Sequence, residues 1–241
     1  MIARWYDRPL VGLDLETTGP DPQTAIPVSY AVILDRGTGS ISVDSQLVDP
    51  GVPIPQEATA VHGITDAMVA GATHVAITAG YLLGMVARLS EQGYPIVAMN
   101  GSFDLTIIER LAVEHGYQGL RTIDWQGPLL DLYVLDKQVD RYRKGSRNLG
   151  ALCEHYGVSL ADRGHDARSD AVAAVLCVRA IARKYRQIGM RTPAELHRLQ
   201  AAWRREQVKS LSDYFVDKGE SAIPAHEWSW PFHDLVVTPE Q

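Results

Sequence analysis

The sequence predicts an α/β fold in which a mixed β-sheet is flanked by helices. Three strand-like runs come first and follow one another closely, which is typical of an antiparallel meander. Further short apolar runs then alternate with segments that have helical apolar spacing, which is typical of parallel strands joined through helices. A sheet that contains both kinds of connection is mixed. The 241 residues are enough for one such domain with a substantial core and an appendage.

Five strands are expected in this sheet. The glycines Gly37 and Gly39 separate the second run from the third and favour a hairpin between them. The fourth run is short and apolar, and the fifth leads directly into a helix. The predicted strands are Leu10 to Leu15, Val28 to Leu34, Ile41 to Val48, Pro95 to Asn100 and the sequence "GPLLDL".

Helices are expected wherever apolar residues recur every three to four positions. The segment after Pro95 to Asn100 illustrates the pattern, because Leu105, Ile108, Leu111 and Ala112 share one face of a helix. The helices predicted on this basis are a short polar helix beginning near Thr65, then Ile77 to Glu91, Leu105 to His115, Asn148 to Tyr156 and Ala167 to Arg186.

The sequence changes character after Arg186, and we place a domain boundary there, between residues 1–187 and 188–241. Thr192 as N-cap, Pro193 in the first turn and Glu195 as capping-box partner predict a helix that runs to about Lys218. An aromatic tail follows it. Its clustered aromatic residues predict a segment that folds back onto its own domain, or alternatively an interface with a protein partner or a second copy of the chain. These residues are Trp228, Trp230 and Phe232.

Composition narrows the classes of function. The net charge of −6 argues against whole-molecule attraction to nucleic acid, so any such binding must be local. No apolar run is long enough to span a membrane, and no basic-then-apolar leader is evident, so a cytoplasmic protein is expected. Cys153 and Cys177 lie in apolar, helix-like surroundings and are interpreted as core residues of a reducing compartment.

Four carboxylates occupy positions where a purely structural role is awkward. Asp14 and Glu16 lie two residues apart in a strand, so their side chains point to the same face. Asp104 follows the fourth strand, and Asp170 lies near the start of an apolar helix capped by Asp166. Oxygen ligands suit Mg²⁺ or Mn²⁺ better than zinc. Two such ions about 4 Å apart stabilise the attacking and leaving oxygens of phosphodiester hydrolysis.

Each of these residues also has a simpler interpretation when it is taken alone. A strand-end Asp14 is often a turn or cap residue, and Glu16 would be solvated at a strand end. Asp104 is about as well explained as the N-cap of the helix that begins at Leu105. His165, in "GHDARSD", is by itself a surface loop residue. The ordered set is much harder to explain in this way than any single member.

The ordered set resembles the DEDDh 3′–5′ exonucleases, a family that includes the proofreading epsilon subunit of bacterial replicative DNA polymerase and ribonuclease T. The resemblance covers Leu10 to Arg186. The matching sequences are "LDLETTG" with Asp14 and Glu16, "VHGIT" at Val61 to Thr65, "NGSFD" ending at Asp104, "LGALCEHYGV", and His165 followed five positions later by Asp170.

This resemblance implies an RNase H-like fold with a five-stranded mixed sheet and a helical C-terminal extension. It implies that nucleotides are removed from a 3′ end with two Mg²⁺ or Mn²⁺ ions. Asp14, Glu16, Asp104 and Asp170 would be the metal ligands, and His165 the general base. The residues implied to contact the terminal nucleotide are Thr17, Thr18, Val61, His62 and Ile64, although "VHGIT" would equally serve to begin a helix.

The expected substrate is the 3′ end of single-stranded DNA, in proofreading or repair. An exoribonuclease is the alternative, because one side chain can decide between DNA and RNA. Two other classes stay open: a non-catalytic module that binds ends or a partner, and a phosphatase or nucleotidase for small substrates. The basic sequence "RYRKGSR", Arg141 to Arg147, would follow a phosphate backbone or would simply be a solvated loop.

Overall fold

A six-stranded mixed sheet forms the centre of the protein and carries helices on both faces. The computed structural model describes residues 4–159 and 166–236. The strands are β1 (Leu10–Thr17), β2 (Pro27–Asp35), β3 (Ile41–Asp49), β4 (Thr73–His74), β5 (Ile96–Ala98) and β6 (Leu129–Asp131). The helices are α1 (Gln56–His62), α2 (Asp66–Val69), α3 (Val75–Glu91), α4 (Gly101–Glu114), α5 (Leu132–Val139), α6 (Leu149–Tyr156), α7 (Ala167–Lys184), α8 (Arg186–Gly189) and α9 (Pro193–Asp217).

The strand order is β4-β3-β2-β1-β5-β6. β1, β2 and β3 form the antiparallel meander that the sequence predicts, whereas β5 and β6 extend the sheet in parallel beyond β1. β1 is therefore a central strand with a helical layer over each face. This position explains why its sequence is apolar up to the point where the carboxylates begin.

The two faces of β1 contribute to different cores. Val11, Leu13 and Leu15 pack into a cluster with residues of α3 and α4. Leu10 packs into a second cluster, which α5, α6 and α7 complete on the opposite face. Because side chains alternate along a strand, Asp14 and Glu16 belong to this second face, towards α7.

Gly12 determines how closely α7 approaches β1. A Cβ atom built on Gly12 would lie 2.6 Å from the backbone oxygen of Ala171 and 2.8 Å from Cγ1 of Ile33, which is too close for any side chain. Removing the side chain lets the backbone of α7 lie directly against the strand. Asp170, the residue before Ala171, is thereby brought to the carboxylate end of β1.

The five predicted strands are all present, and β4 adds a sixth that the expected five-stranded sheet did not include. It pairs in parallel with β3 through only Thr73 and His74, so it has too few residues to show a strand pattern. Helix α1 was also not predicted. None of its residues is buried, so it has no apolar face for periodicity to reveal.

The C-terminal helix covers the edge strand β6. The capping box of Thr192 and Glu195 is present, as predicted. The Gln200 side chain accepts a hydrogen bond from the Asp131 N–H (2.8 Å) and donates one to the Leu129 carbonyl (2.8 Å), while His197 Nδ1 accepts one from the Leu129 N–H (3.1 Å). These side chains satisfy backbone groups that an edge strand would otherwise leave unpaired.

The aromatic tail folds back onto the sheet and its helices. Phe232 is buried in the α3–α4 cluster, and Trp230 packs against it. The His233 N–H donates to Thr106 Oγ1 of α4 at 2.8 Å.

Cys153 and Cys177 are free and buried, as predicted. Within the described ranges, no helix combines the length and apolar character that a membrane span requires.

Candidate active site

Three carboxylates converge where β1 meets the start of α7. One oxygen each from Asp14, Glu16 and Asp170 lies within 4.8 Å of the others, and all three residues are half-buried. Asp14 and Glu16 come together because of the two-residue period of β1, which continues to a register shift between Glu16 and Thr17. Asp170 completes the group from the first turn of α7.

The start of α7 is well defined. The Asp166 side chain accepts a hydrogen bond from the Ser169 N–H (3.0 Å), so Asp166 is the N-cap that the sequence predicts. A helix N-terminus carries partial positive charge, which favours the carboxylates gathered there. This effect is modest compared with the repulsion among them.

The pKa of Asp14 is raised both by burial and by this repulsion. Burial raises this pKa well above the usual value, and the nearby carboxylates of Asp104, Asp170, Glu16 and Asp166 raise it further. Without a cation between them, several of these groups therefore resist ionisation together. The arrangement is electrostatically costly for the protein alone.

Asp104 is not one of the three grouped residues, but its charge raises the pKa of Asp14, so it lies nearby. It lies in the first turn of α4 and is 3% exposed. Burial raises its pKa, while hydrogen bonds from its own backbone N–H and that of Leu15 lower it. It is not the N-cap of this helix, the alternative considered from the sequence. The N-cap is Asn100, in left-handed conformation (φ 59°), because α4 begins at Gly101, four residues before Leu105.

The residues present fit a hard divalent cation. The group of three contains carboxylates alone, which are the ligands of Mg²⁺ and Mn²⁺. A cation would also relieve the repulsion that raises the pKa of Asp14. The chemistry of the donor set therefore agrees with the divalent metals expected in the family that the sequence resembles.

A family model described as "Exonuclease", of the ribonuclease T type, matches residues 11–178 of this chain. The match covers most of the sheet and all four carboxylates. The chain belongs to this exonuclease family.

Curated relatives agree with this membership. A DNA polymerase III subunit epsilon-like protein of Rhodobacter capsulatus is 32% identical over 167 residues, which cover 68% of this chain and 22% of the relative. An uncharacterized exonuclease, CP81, of Escherichia phage 186 is 35% identical over 115 residues, which cover 48% of this chain and 55% of the relative. The matches thus span about a fifth and about half of these two relatives.

A solved structure shows the same fold. E. coli Exonuclease I in complex with a dA16 oligonucleotide superposes with a TM-score of 0.61 at 15% identity, covering 85% of this chain and 45% of that one. The likeness confirms the mixed α/β architecture of this exonuclease family and its sheet flanked by helices.

The expected general base of the exonuclease, His165, lies outside the described residues. The described chain resumes at Asp166, at the start of α7 and next to the carboxylate group. The role of His165 therefore stays a prediction from the sequence.

The residues expected to contact substrate lie around the end of β1 (Thr17 and Thr18), in the last turn of α1 (Val61 and His62) and in the loop that leads to α2 (Ile64). Thr17 Oγ1 donates to the Gly19 carbonyl (2.8 Å), and Thr18 Oγ1 accepts from the Ile26 N–H (3.0 Å), so both hydroxyls fix the turn after β1. Their backbone borders the carboxylate group. Their contact with a nucleotide stays a prediction.

His62 lies beside this turn. Its Nδ1 accepts a hydrogen bond from the Ile64 N–H (3.0 Å). A hydrogen bond with the backbone of Thr17 acts to raise the pKa of His62, against the larger effect of burial. Burial lowers the pKa of His62, so neutral imidazole is favoured. Val61 is 65% exposed next to it, whereas Ile64 is 7% exposed within a small cluster with Val28. Val61 is thus accessible to a ligand, while Ile64 supports the loop from beneath.

Two arginines of the basic loop, Arg141 to Arg147, are bound to a buried carboxylate of α5. Arg143 and Arg147 both pair with the buried carboxylate of Asp136, the Arg143 bond measuring 2.9 Å. Tyr156 donates to the other oxygen of Asp136 at 2.7 Å. These two arginines therefore hold the loop to α5 instead of forming a simple row of solvated charges.

One buried acid near the site was not predicted from the sequence. Asp131 ends β6, is 1% exposed and raises the pKa of Asp104 by its proximity. The sequence did contain one signal for it: Asp131 stands at the end of an apolar strand, as Asp104 stands after one. The structure pairs these two strands, β5 and β6, in parallel. The carboxyl ends of parallel strands lie along one edge of the sheet.

Proposed function

We propose that this protein is a metal-dependent 3′–5′ exonuclease that removes nucleotides from single-stranded DNA. The observation that carries the proposal is the convergence of Asp14, Glu16 and Asp170 within 4.8 Å, inside the segment that matches the exonuclease family. The raised pKa of Asp14 agrees with it, because burial and then the neighbouring carboxylates oppose a negative charge that a bound cation would neutralise.

Asp14, Glu16 and Asp170 would hold one divalent cation directly, and Asp104 would complete a site for two Mg²⁺ or Mn²⁺ ions. When bound, such a pair supplies charge stabilisation to the attacking and leaving oxygens of a phosphodiester. Asp104 is not one of the three grouped residues, but it lies close enough to Asp14 to raise its pKa and would therefore help to hold the ions. Asp14 would be one of the ligands, since it lies among the carboxylates whose charges raise its pKa after burial does.

The remaining roles belong to groups around the carboxylates. His165 would take the proton from the attacking water as general base. The backbone after β1, at Thr17 and Thr18, would lie along the terminal nucleotide, with Val61 and His62 beside its base and Ile64 beneath them. The exposure of Val61 and the position of His62 at the Thr17 turn support this arrangement.

DNA is favoured as substrate by the relatives. The first curated relative is named for a DNA polymerase subunit, and the solved Exonuclease I structure holds an oligodeoxynucleotide. A role in proofreading or repair would follow. An exoribonuclease is the second candidate, because the matching family model carries the name of ribonuclease T.

Degradation of end-labelled oligonucleotides tests the proposal. Single-stranded DNA and RNA of one sequence, labelled at the 5′ end or at the 3′ end, are incubated with Mg²⁺. We expect 5′-labelled DNA to give a ladder of shortening products, and 3′-labelled DNA to release labelled mononucleotide at once. Asp104→Asn, which keeps the size of the side chain, should give no ladder.

Two results would contradict the proposal. Release of mononucleotide first from the 5′-labelled end would overturn the polarity. Intact DNA and RNA at every Mg²⁺ and Mn²⁺ concentration would overturn the activity and favour a non-catalytic binding module. A ladder from RNA alone would keep the exonuclease and replace its substrate.

A further inference from the structure

A buried carboxylate, Asp131, connects the C-terminal tail to the helix that carries Asp104. Its Oδ1 accepts hydrogen bonds from the backbone N–H groups of Tyr133 (3.0 Å), Val134 (3.3 Å) and Asn100 (3.2 Å). The first two make it the N-cap of α5. The third crosses from β6 to the residue that immediately precedes α4.

Asn100 is the point at which the chain turns from β5 into α4. It adopts a left-handed conformation, which is uncommon for a residue other than glycine, and its side chain makes no capping hydrogen bond. Gly101 then packs tightly, since a Cβ atom there would lie 3.0 Å from Ala98 and Leu129. The direction of the first turn of α4, and so the position of Asp104, depends on how this turn is held.

The second oxygen of Asp131 is held by the tail. Trp230 Nε1 donates to Asp131 Oδ2 at 3.3 Å, and the Trp230 ring lies 4.9 Å from the ring of His197 on α9. Three residues later, the His233 N–H donates to Thr106 Oγ1, within α4 itself. The tail thus contacts α4 directly, two residues beyond Asp104, and reaches the turn before α4 through Asp131.

We propose that Trp230 is a positioning residue for Asp104, acting through Asp131 and the backbone of Asn100. The proposal rests on the proposed function, in which Asp104 is a metal ligand. An indole N–H fixes Asp131, which fixes the left-handed turn and the first turn of α4. The residues 188–241 would therefore complete the framework of the metal site instead of being an independent appendage.

The chain offers a matched control for this proposal. Trp228 is half-buried like Trp230, but its Nε1 donates to the Ile223 carbonyl (3.1 Å) within the tail, away from Asp131. Trp230→Phe and Trp228→Phe each remove one indole hydrogen bond and keep an aromatic ring. Only the first variant should affect Asp104.

The experiment measures Mn²⁺ binding to the full-length protein without nucleic acid, from the electron paramagnetic resonance signal of free Mn²⁺, together with the melting temperature. We expect Trp230→Phe to weaken Mn²⁺ binding about three- to tenfold, less than the 10–100-fold typical when a ligand loses its direct hydrogen-bond partner. Trp228→Phe should bind Mn²⁺ as the wild type does. The Mg²⁺ concentration for half-maximal nuclease rate should shift only in Trp230→Phe.

A second pair of variants tests the route through Asp131. In an Asp131→Asn background, the amide oxygen that keeps the three backbone N–H groups leaves the NH2 group facing the indole N–H, and an NH2 group does not accept a hydrogen bond. Adding Trp230→Phe should therefore weaken Mn²⁺ binding no further. Equal Mn²⁺ affinities for Trp230→Phe and Trp228→Phe would overturn the proposal. So would a loss of affinity that both variants share in proportion to a lower melting temperature. Mn²⁺ binding is measured without substrate, so a failure of the nuclease proposal would be seen separately.

Discussion

At the scale of single residues, protonation of Asp14 changes the free energy of unfolding of the metal-free protein. The pKa of Asp14 is raised in the folded protein, chiefly by burial and then by its neighbours. The folded state therefore binds a proton more tightly than the unfolded chain, whose pKa is about 3.9. Stability of the metal-free protein falls as pH rises from that value through the raised pKa.

Asp14→Asn should consequently stabilise the metal-free protein at neutral pH while abolishing nuclease activity. The amide removes the charge that burial and four carboxylates oppose. Melting temperatures in excess chelator should rise by a few degrees, and the gain should disappear at pH 4. Asp213→Asn, on the surface of α9, is the control; it removes only an exposed ion pair with Lys209, and such pairs contribute little, so it should change neither melting temperature nor activity appreciably. A fully active Asp14→Asn protein would exclude Asp14 from the site.

His165→Ala tests the expected general base. We expect its catalytic rate to fall by about 10²–10⁴, the usual contribution of a base, with little change in binding of metal or nucleic acid. The wild-type rate should rise with pH through the histidine titration and then level off, whereas the residual rate of the variant should continue to rise as hydroxide replaces the base. Metal must be saturating at each pH. A variant with the wild-type rate and plateau would make His165 a bystander.

The residues of the site were predictable to different degrees. Asp14 and Glu16 follow from the two-residue period of a strand, and Asp104 from its place after an apolar run. Asp131 was missed because an aspartate that caps a helix has an ordinary structural explanation in the sequence. Its hydrogen bond to the distant Asn100 depends on the parallel pairing of β5 and β6, which a linear pattern does not contain.

At the scale of elements, the contact between β1 and α7 brings the carboxylates together. Gly12 lets the backbone at Ala171 lie directly against the strand, and Asp170 is the preceding residue. The approach of these two elements is therefore coupled to the distance between Asp170 and Asp14. A side chain at position 12 would separate them.

Gly12→Ala should reduce both stability and activity. Inserting a methyl group into a packed contact typically costs about 1–3 kcal/mol, and displacement of α7 would move Asp170 away from Asp14. Gly84→Ala is the matched control, since a Cβ atom there meets nothing within 4 Å on the exposed side of α3. That variant should be neutral or stabilising by up to about 1 kcal/mol. Unfolding in urea and a nuclease assay compare the two.

A Gly12→Ala protein as stable and active as Gly84→Ala would contradict this account of the β1–α7 contact.

Among the elements themselves, those with a periodic apolar face or a cap were predicted, including β1 and α9. Three short elements without either were not predicted: the two-residue β4, the exposed α1 and the four-residue α8. Such elements are positioned by other segments of the protein that pair with them or pack against them, as β3 pairs with β4.

At the scale of the whole molecule, α9 and the tail cover the edge of the sheet and reach across to α4. Two histidines lie in this contact, His233 buried and His197 half-buried. Burial lowers the pKa of His197 and that of His233 to about 4 each. The unfolded chain, with a pKa near 6.5, binds protons more readily, so stability is lost as pH falls from about 6.5 towards 4.

His233→Leu should therefore reduce the loss of stability between pH 7 and pH 5. Both ring nitrogens of His233 lack hydrogen-bond partners among the described residues, so an apolar side chain forfeits little. Between pH 7 and pH 5 the effect is at most about 2 kcal/mol, because only about 1.5 of the pH units that separate 6.5 from about 4 lie in that window. His115→Leu, on the surface, should leave the pH dependence unchanged. Identical curves for the two variants would contradict the prediction.

The most direct test of the metal site is the position of Mn²⁺ in crystals of the wild-type protein, located by anomalous scattering. The crystals would be grown at a Mn²⁺ concentration that supports nuclease activity in solution. We expect an anomalous peak within bonding distance of carboxylate oxygens from Asp14 and from Glu16 or Asp170. A second peak, when substrate or product is bound, should lie beside Asp104. No Mn²⁺ at these carboxylates, or Mn²⁺ bound only elsewhere, would contradict the account.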